Sequence, residues 1–190
     1  MMNLLRMLAD KILPKRAKMK VEKRQLAFRY YVRRDLPDIL AIEEESFPYP
    51  WDTRDFTNNL RRRNVWAIVC EDISTGRIIG YTIYELHKHF IYVLSLAVHK
   101  EFRHQRIGRA LLKKIKNKLR LGRRVAIEMH VADYNVPMHL FLREKAGFVA
   151  TGVDRNFYDE EDVDAYSFRY ELDSAPEVTF ELEVTQHETT

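Results

Sequence analysis

The sequence predicts an α/β fold, a single sheet with helices on both faces. Three observations carry it. Strand-like apolar runs at Val65 to Glu71, Ile78 to Leu86 and Phe90 to Val98 follow one another across short polar turns, as in a meander. The third run leads into a segment whose apolar positions Ile107, Leu111, Leu112, Ile115 and Leu119 recur at helical spacing. A further strand, a further helix and a closing pair of strands follow. The 190 residues suit one domain with its own core.

Taken in order, Gln25 to Arg33 reads as a strand carrying Phe28, Tyr30 and Tyr31. Asp35 stands where a helix cap belongs, with Pro37 in the first turn and Leu36, Ile39, Leu40 and Ile42 directed inward. That helix ends before Phe47-Pro48-Tyr49-Pro50-Trp51, where the prolines hold the chain extended and three aromatic rings need a surface. A second helix starts at Asp52/Thr53 and runs to about Arg62. Ser74-Thr75-Gly76 and His87-Lys88-His89 join the meander strands; the two histidines lack a third ligand at a recognisable spacing, so a polar hairpin is expected there rather than a metal. Gly122 ends the central helix. Arg124 to Val131 then forms a strand and Tyr134 to Lys145 a helix stopped by Gly147-Phe148. Val149 to Asn156 and Val163 to Leu172 are the last strands.

With 46% hydrophobic and 32% charged residues the composition is globular, and no apolar run approaches the roughly 18–20 residues of a membrane span. The single cysteine, Cys70, excludes an internal disulfide and suits a reducing cytoplasm, the expected location. On an apolar strand it reads as packing rather than as a nucleophile. The formal charge of +4 is unevenly spread. Residues 1–26 form a basic extension, read first as a solvated arm, with RNA or a ribosome, an acidic membrane surface and a partner-binding helix as the alternatives, and residues 173–190 an acidic tail without Lys or Arg. The domain proper is expected at residues 27–172.

Everything is organised around Tyr92 to Gly122. A strand turning into a helix N-terminus gathers unpaired N–H groups and the positive end of the helix dipole, which together attract an anion. Arg103, His104, Gln105, Arg106 and Arg109 add donors, and the expected guest is a nucleotide-bearing pyrophosphate. The turn carries neither glycine pattern of the nucleoside triphosphate or dinucleotide folds. It resembles the acetyl-coenzyme A loop of the GNAT superfamily of N-acetyltransferases, R/Q-x-x-G-x-G/A, through Arg103-x-x-Arg106-x-Gly108 after Leu96-Ala97-Val98. Arg106 replaces the first glycine of that pattern, and a left-handed backbone there would cost an ordinary residue about 1–2 kcal/mol. The loop from Glu45 to Trp51 is similar to the substrate loop of the ribosomal-protein N-terminal alanine acetyltransferases and related protein N-terminal acetyltransferases. The resemblance covers about residues 27–172 and implies the GNAT fold, a mixed, mostly antiparallel sheet flanked by helices on both faces.

The resemblance also implies acetyl-CoA as co-substrate and no metal. Leu96, Ala97, Val98, Arg103, His104, Gln105, Arg106, Ile107, Gly108, Arg109 and Asn135 would hold the coenzyme, and Phe47, Tyr49, Trp51 and Tyr158 a peptide. Glu128 interrupts an apolar strand, which is costly unless the carboxylate is paired or functional. The resemblance makes it the general base, with His130, two residues on and therefore on the same face, in reserve. Phe141 and Leu142 stand where relatives carry a proton-donating tyrosine, and Lys145-Ala146 implies an extra residue before Gly147. Solvent, Tyr158 or Tyr134 would then protonate the departing thiolate. An α-amine titrates near 8 and lysine near 10.4, so one weak base suits an N-terminus better. The expected activity is direct acetyl transfer, in a ternary complex, from acetyl-CoA to the α-amino group of a protein or peptide of ribosomal-protein type. The alternatives are a small-molecule amine as acceptor and a non-catalytic acetyl-CoA-binding module.

Overall fold

The computed structural model describes residues 24–158 and 162–172; most of the basic extension, the acidic residues 159–161 and the acidic tail lie outside the described residues. Seven strands form one sheet. They are β1 (Leu26–Tyr30), β2 (Val65–Asp72), β3 (Arg77–Leu86), β4 (Phe90–Val98), β5 (Ala126–Ala132), β6 (Val149–Tyr158) and β7 (Val163–Glu171), in the spatial order β1-β2-β3-β4-β5-β7-β6. All neighbours are antiparallel except β4 and β5. Strand alternation sends Val65, Ala67 and Val69 to one face and Ile68 and Cys70 to the other. On the first face α1 (Leu36–Ser46) and α2 (Thr53–Leu60) contribute Ile39, Ile42 and Phe56; on the second α3 (Ile107–Lys116) contributes Ile107, Leu111, Leu112 and Ile115. The sheet thus carries helices on both faces.

Helix α2 is fixed by a reciprocal cap: Asp52 Oδ1 accepts the N–H groups of Arg54 and Asp55, and Asp55 Oδ2 accepts that of Asp52. Asp35 behaves differently from the cap its position suggests. Its buried carboxylate turns back to Arg29, at 2.6 and 2.9 Å, and to the Val32 N–H at 2.8 Å, because β1 supplies a charged partner.

Two helix ends depart from the sequence pattern. Helix α3 stops at Lys116, where the N–H groups of Asn117 and Lys118 close onto Lys113 and Ile115; Gly122, at φ 76°, instead turns the loop that follows, and Leu119 stays buried. The helix expected from Tyr134 begins at Val136, with Asn135 as its cap, and α4 (Val136–Leu140) runs into a single π turn, Phe141–Lys145. The Ala146 N–H bonds to the Phe141 carbonyl at 3.0 Å. That turn absorbs the extra residue before Gly147. Burial pushes the Cys70 thiol up to about 12, so it packs and does not react. Among the described residues no three His, Cys, Asp or Glu side chains converge on one point, and no helix is long and apolar enough to cross a membrane.

Candidate active site

The sheet is split down its middle. Strands β4 and β5 pair only at Phe90↔Ala126, Ile91↔Ile127 and Tyr92↔Glu128 and then diverge. A bulge adds to this: Ile83 faces Ser95 and Tyr84 faces Val93, so Leu94 has no opposite residue on β3. Since the His99 N–H bonds to Ile79 and N–H groups alternate along a strand, the Ala97 N–H faces β3 while those of Leu96 and Val98 face the gap.

On one side of the gap lies a cleft of about 640 Å³. Leu96, Ala97, Val98, Arg103, His104, Arg106, Ile107, Gly108, Arg109 and Asn135 all line it; Gln105 does not, and its amide donates to the Glu101 carbonyl at 3.2 Å. His104 and Arg106 both have left-handed backbones, φ 62° and 65°, and Arg106 stands immediately before α3. No acid occupies the first turn of α3, so its dipole is unopposed. Arg103 braces the turn by donating from Nε to the Val98 carbonyl and from Nη2 to Ser46 Oγ, each at 3.0 Å. The Asn135 side chain accepts the Met138 N–H at 3.2 Å and so fixes the start of α4 beside the gap. An apolar stem, two strand N–H groups and a cationic helix start fit a pantetheine arm ending in a pyrophosphate. Arg106 separates two effects. Replacing it by Gly releases about 1 kcal/mol of backbone strain, whereas Ala retains the strain and both remove the guanidinium. Urea unfolding should therefore show Arg106→Gly more stable than Arg106→Ala by about 1 kcal/mol, and equal midpoints would deny the backbone any part.

A second cleft, of about 610 Å³, meets the first at Ser46, Phe47, Leu96, Asn135, Pro137 and Met138. Phe47, Tyr49, Trp51 and Tyr158 line it, as does His130. The His130 ring is clamped: Nδ1 lies 2.7 Å from the Tyr92 hydroxyl, Nε2 lies 2.9 Å from Asp154 Oδ2, and Phe157 stacks on it at 4.1 Å. A carboxylate only accepts, so Nε2 carries hydrogen and Nδ1 faces the tyrosine. Hydrogen bonds from Ser167 and His130 hold the Asp154 carboxyl below its ordinary range. Glu128 lines neither cleft; it lies opposite Arg169 on β7 and is ion-paired with it, at the point where β4 and β5 are still joined. The π turn puts Phe141 in the coenzyme cleft against Gly108, and neither it nor buried Leu142 donates a proton.

Glu43 lines the second cleft and was not singled out by sequence reasoning. A signal existed: it follows Ile39 by one helical turn, which places it on the inward face of α1, unlike Glu44. Its carboxyl, 3% exposed, accepts the Trp51 N–H at 3.3 Å and the Ser95 hydroxyl at 3.4 Å, and burial raises it to about 7.

A split mixed sheet with a cationic helix start and two clefts meeting at the split is the arrangement that an acyl-coenzyme A-dependent N-acyltransferase requires. Residues 36–148 match the acetyltransferase (GNAT) family, and the chain belongs to it as an acetyl-CoA-dependent N-acetyltransferase. It is 24% identical over 124 residues to the ribosomal protein bS18-alanine N-acetyltransferase of Escherichia coli K12, covering 65% of this chain and 81% of that one. The crystal structure of the Escherichia coli ribosomal-protein-S18-alanine N-acetyltransferase superposes with a TM-score of 0.66 at 20% identity, over 82% of this chain and 99% of that one. Arabidopsis thaliana NAA60 in complex with a bisubstrate analogue does so with a TM-score of 0.66 at 19% identity, over 80% of this chain and all of the other.

Proposed function

We propose that the protein acetylates the α-amino group of a protein or peptide N-terminus by direct transfer while acetyl-CoA and the acceptor are both bound. The carrying observation is that the coenzyme cleft opens into a second, aromatic-walled cleft along a shared boundary at Leu96 and Asn135. Acetyl-CoA supplies an activated thioester. The N–H groups of Leu96 and Val98 bind its amides and carbonyl oxygen along the open edge of β4. Phe47, Tyr49 and Trp51 give rigid walls for the first residues of a peptide, and Tyr158 closes the cleft from β6. His130 is the proton acceptor: its Nδ1 accepts the Tyr92 hydroxyl, so the amine proton reaches the ring as that hydroxyl passes its own proton to Nδ1 and takes up the amine's, with Asp154 holding the ring and offsetting the charge it gains. Solvent protonates the thiolate, since no side chain at Phe141 or Leu142 can. Relatives named for a ribosomal protein support an N-terminal acceptor, and with the buried thiol they suit a cytoplasmic location. The Lys- and Arg-rich residues 1–26 suit contact with ribosomal RNA.

The test is coenzyme A release over a peptide library varying the first two residues, beside a panel of polyamines and aminoglycosides. Turnover that depends on the leading residue is expected. Preference for a free small amine over every peptide would overturn the proposal.

A further inference from the structure

Acetylating a peptide amine near neutral pH means removing two protons from nitrogen. The ammonium must lose one before its lone pair can attack, and the bond-forming nitrogen loses another afterwards. His130 serves one of these steps, and the other needs a separate acceptor within the same cleft. Glu43 is the carboxyl that the fold places there. It projects from the last turns of α1, and its two oxygens reach opposite walls: Oε1 to the Trp51 N–H of the aromatic loop, Oε2 to Ser95 beside the bulge of β4. Both bonds are long for a carboxylate, at 3.3 and 3.4 Å, and no cation is bound to it among the described residues. A buried carboxylate so loosely satisfied gains most from a cationic guest.

We propose that Glu43 is the amine-recognition residue of the peptide cleft: its carboxylate holds the incoming ammonium and accepts the first of its two protons. The N–H electron pair stays on nitrogen, the proton moves to Glu43, and solvent later removes it. This rests on the peptide N-terminus reading above. The other groups around the carboxyl do not compete for the ammonium. Asp55 is occupied by the Asp52 N–H, Tyr81 of β3 binds Ser95 Oγ at 3.0 Å, Glu85 further along β3 is ion-paired with Arg62, and on α1 Glu45 accepts the Lys100 N–H while Glu44 is exposed. His130, Tyr49, Tyr134 and Tyr158 face the cleft from the remaining sides. With the Glu43 carboxyl poised at about 7, an α-ammonium near 8 transfers its proton at small cost, whereas a lysine ammonium near 10.4 does not.

The test compares wild type with Glu43→Gln, both loaded with coenzyme A, by calorimetric titration of two pentapeptides that share an alanine-led sequence, one of them lacking the amino group. Gln keeps an acceptor for Trp51 and a partner for Ser95. Wild type should prefer the free amine by about 10- to 100-fold, and Glu43→Gln should lose that preference while still binding the desamino peptide. In turnover, kcat/KM should fall about 10-fold or more in Glu43→Gln, and its rise with pH should move to higher pH. An equal amine preference in both proteins, or none in wild type, would overturn the proposal. Wild type that prefers the amine yet never releases coenzyme A would instead overturn the enzymatic reading and leave recognition by Glu43 supported.

Discussion

His130→Ala should leave coenzyme A binding unchanged and lower kcat/KM for a peptide amine by about 100- to 1,000-fold, the range expected for loss of a positioned proton acceptor. The ring is held at both nitrogens and stacked on Phe157, so its orientation is set before substrate arrives. Removing it also takes from the Tyr92 hydroxyl its ring acceptor and leaves Asp154 to Ser167. Asp154→Asn separates orientation from chemistry: the amide offers an acceptor to Nε2–H but no charge to offset the imidazolium, and an intermediate loss is expected. Glu128→Gln is the necessary companion. Its carboxylate is engaged by Arg169, and a drop there smaller than in His130→Ala assigns proton removal to the histidine. A larger drop in Glu128→Gln reverses the assignment. Stopped-turnover thiol release on both variants decides between them.

Arg29→Ala should destabilise the fold by about 3 kcal/mol at pH 7, read as the urea midpoint. Arg29 grips Asp35, whose side chain is 3% exposed, and Glu71 of β2 at 2.5 Å, so it ties the first strand to the start of α1. Burial pushes the Asp35 carboxyl up, but hydrogen bonds from Arg29 and the Val32 N–H outweigh it and leave the group below its ordinary value. A carboxyl so lowered adds stability that is complete above its unfolded value, near 3.9, and is lost as pH falls through the folded value. In the variant, burial, the largest influence on the carboxyl, is opposed chiefly by the Val32 N–H, and the slope reverses: acidification toward pH 4 should narrow the gap between the two proteins. Equal midpoints at pH 7 would show that the pair contributes nothing.

Periodicity made the architecture readable. Ile107, Leu111, Leu112 and Ile115 are all buried in one cluster because a helix against a sheet needs a continuous stripe, and the residue spacing records that need. The left-handed backbone at Arg106 was readable too, because a motif that uses glycine there describes a backbone and not a side chain. The partnership of Glu128 was not. Alternation puts Glu128 and His130 on one face, but which of them meets the gap depends on where β4 leaves β5, and Arg169 lies 41 residues further on. Spacing along a strand carries no information about where its neighbour stops pairing. Glu43 was hidden for a related reason: in a run of three glutamates composition is uniform, and only helical phase distinguishes the inward one. The insertion before Gly147 was countable, yet whether it would loop out or widen the helix was decided by Leu142 and Phe148, both buried, which had to keep their places.

The two halves of the sheet meet at three residue pairs, and beyond them the two clefts open side by side. On the function proposed above, the cargo would act as a keystone. A thioester arm laid along the bare edge of β4 would restore rungs that the chain itself omits, so the molecule would be most nearly whole only while it is working.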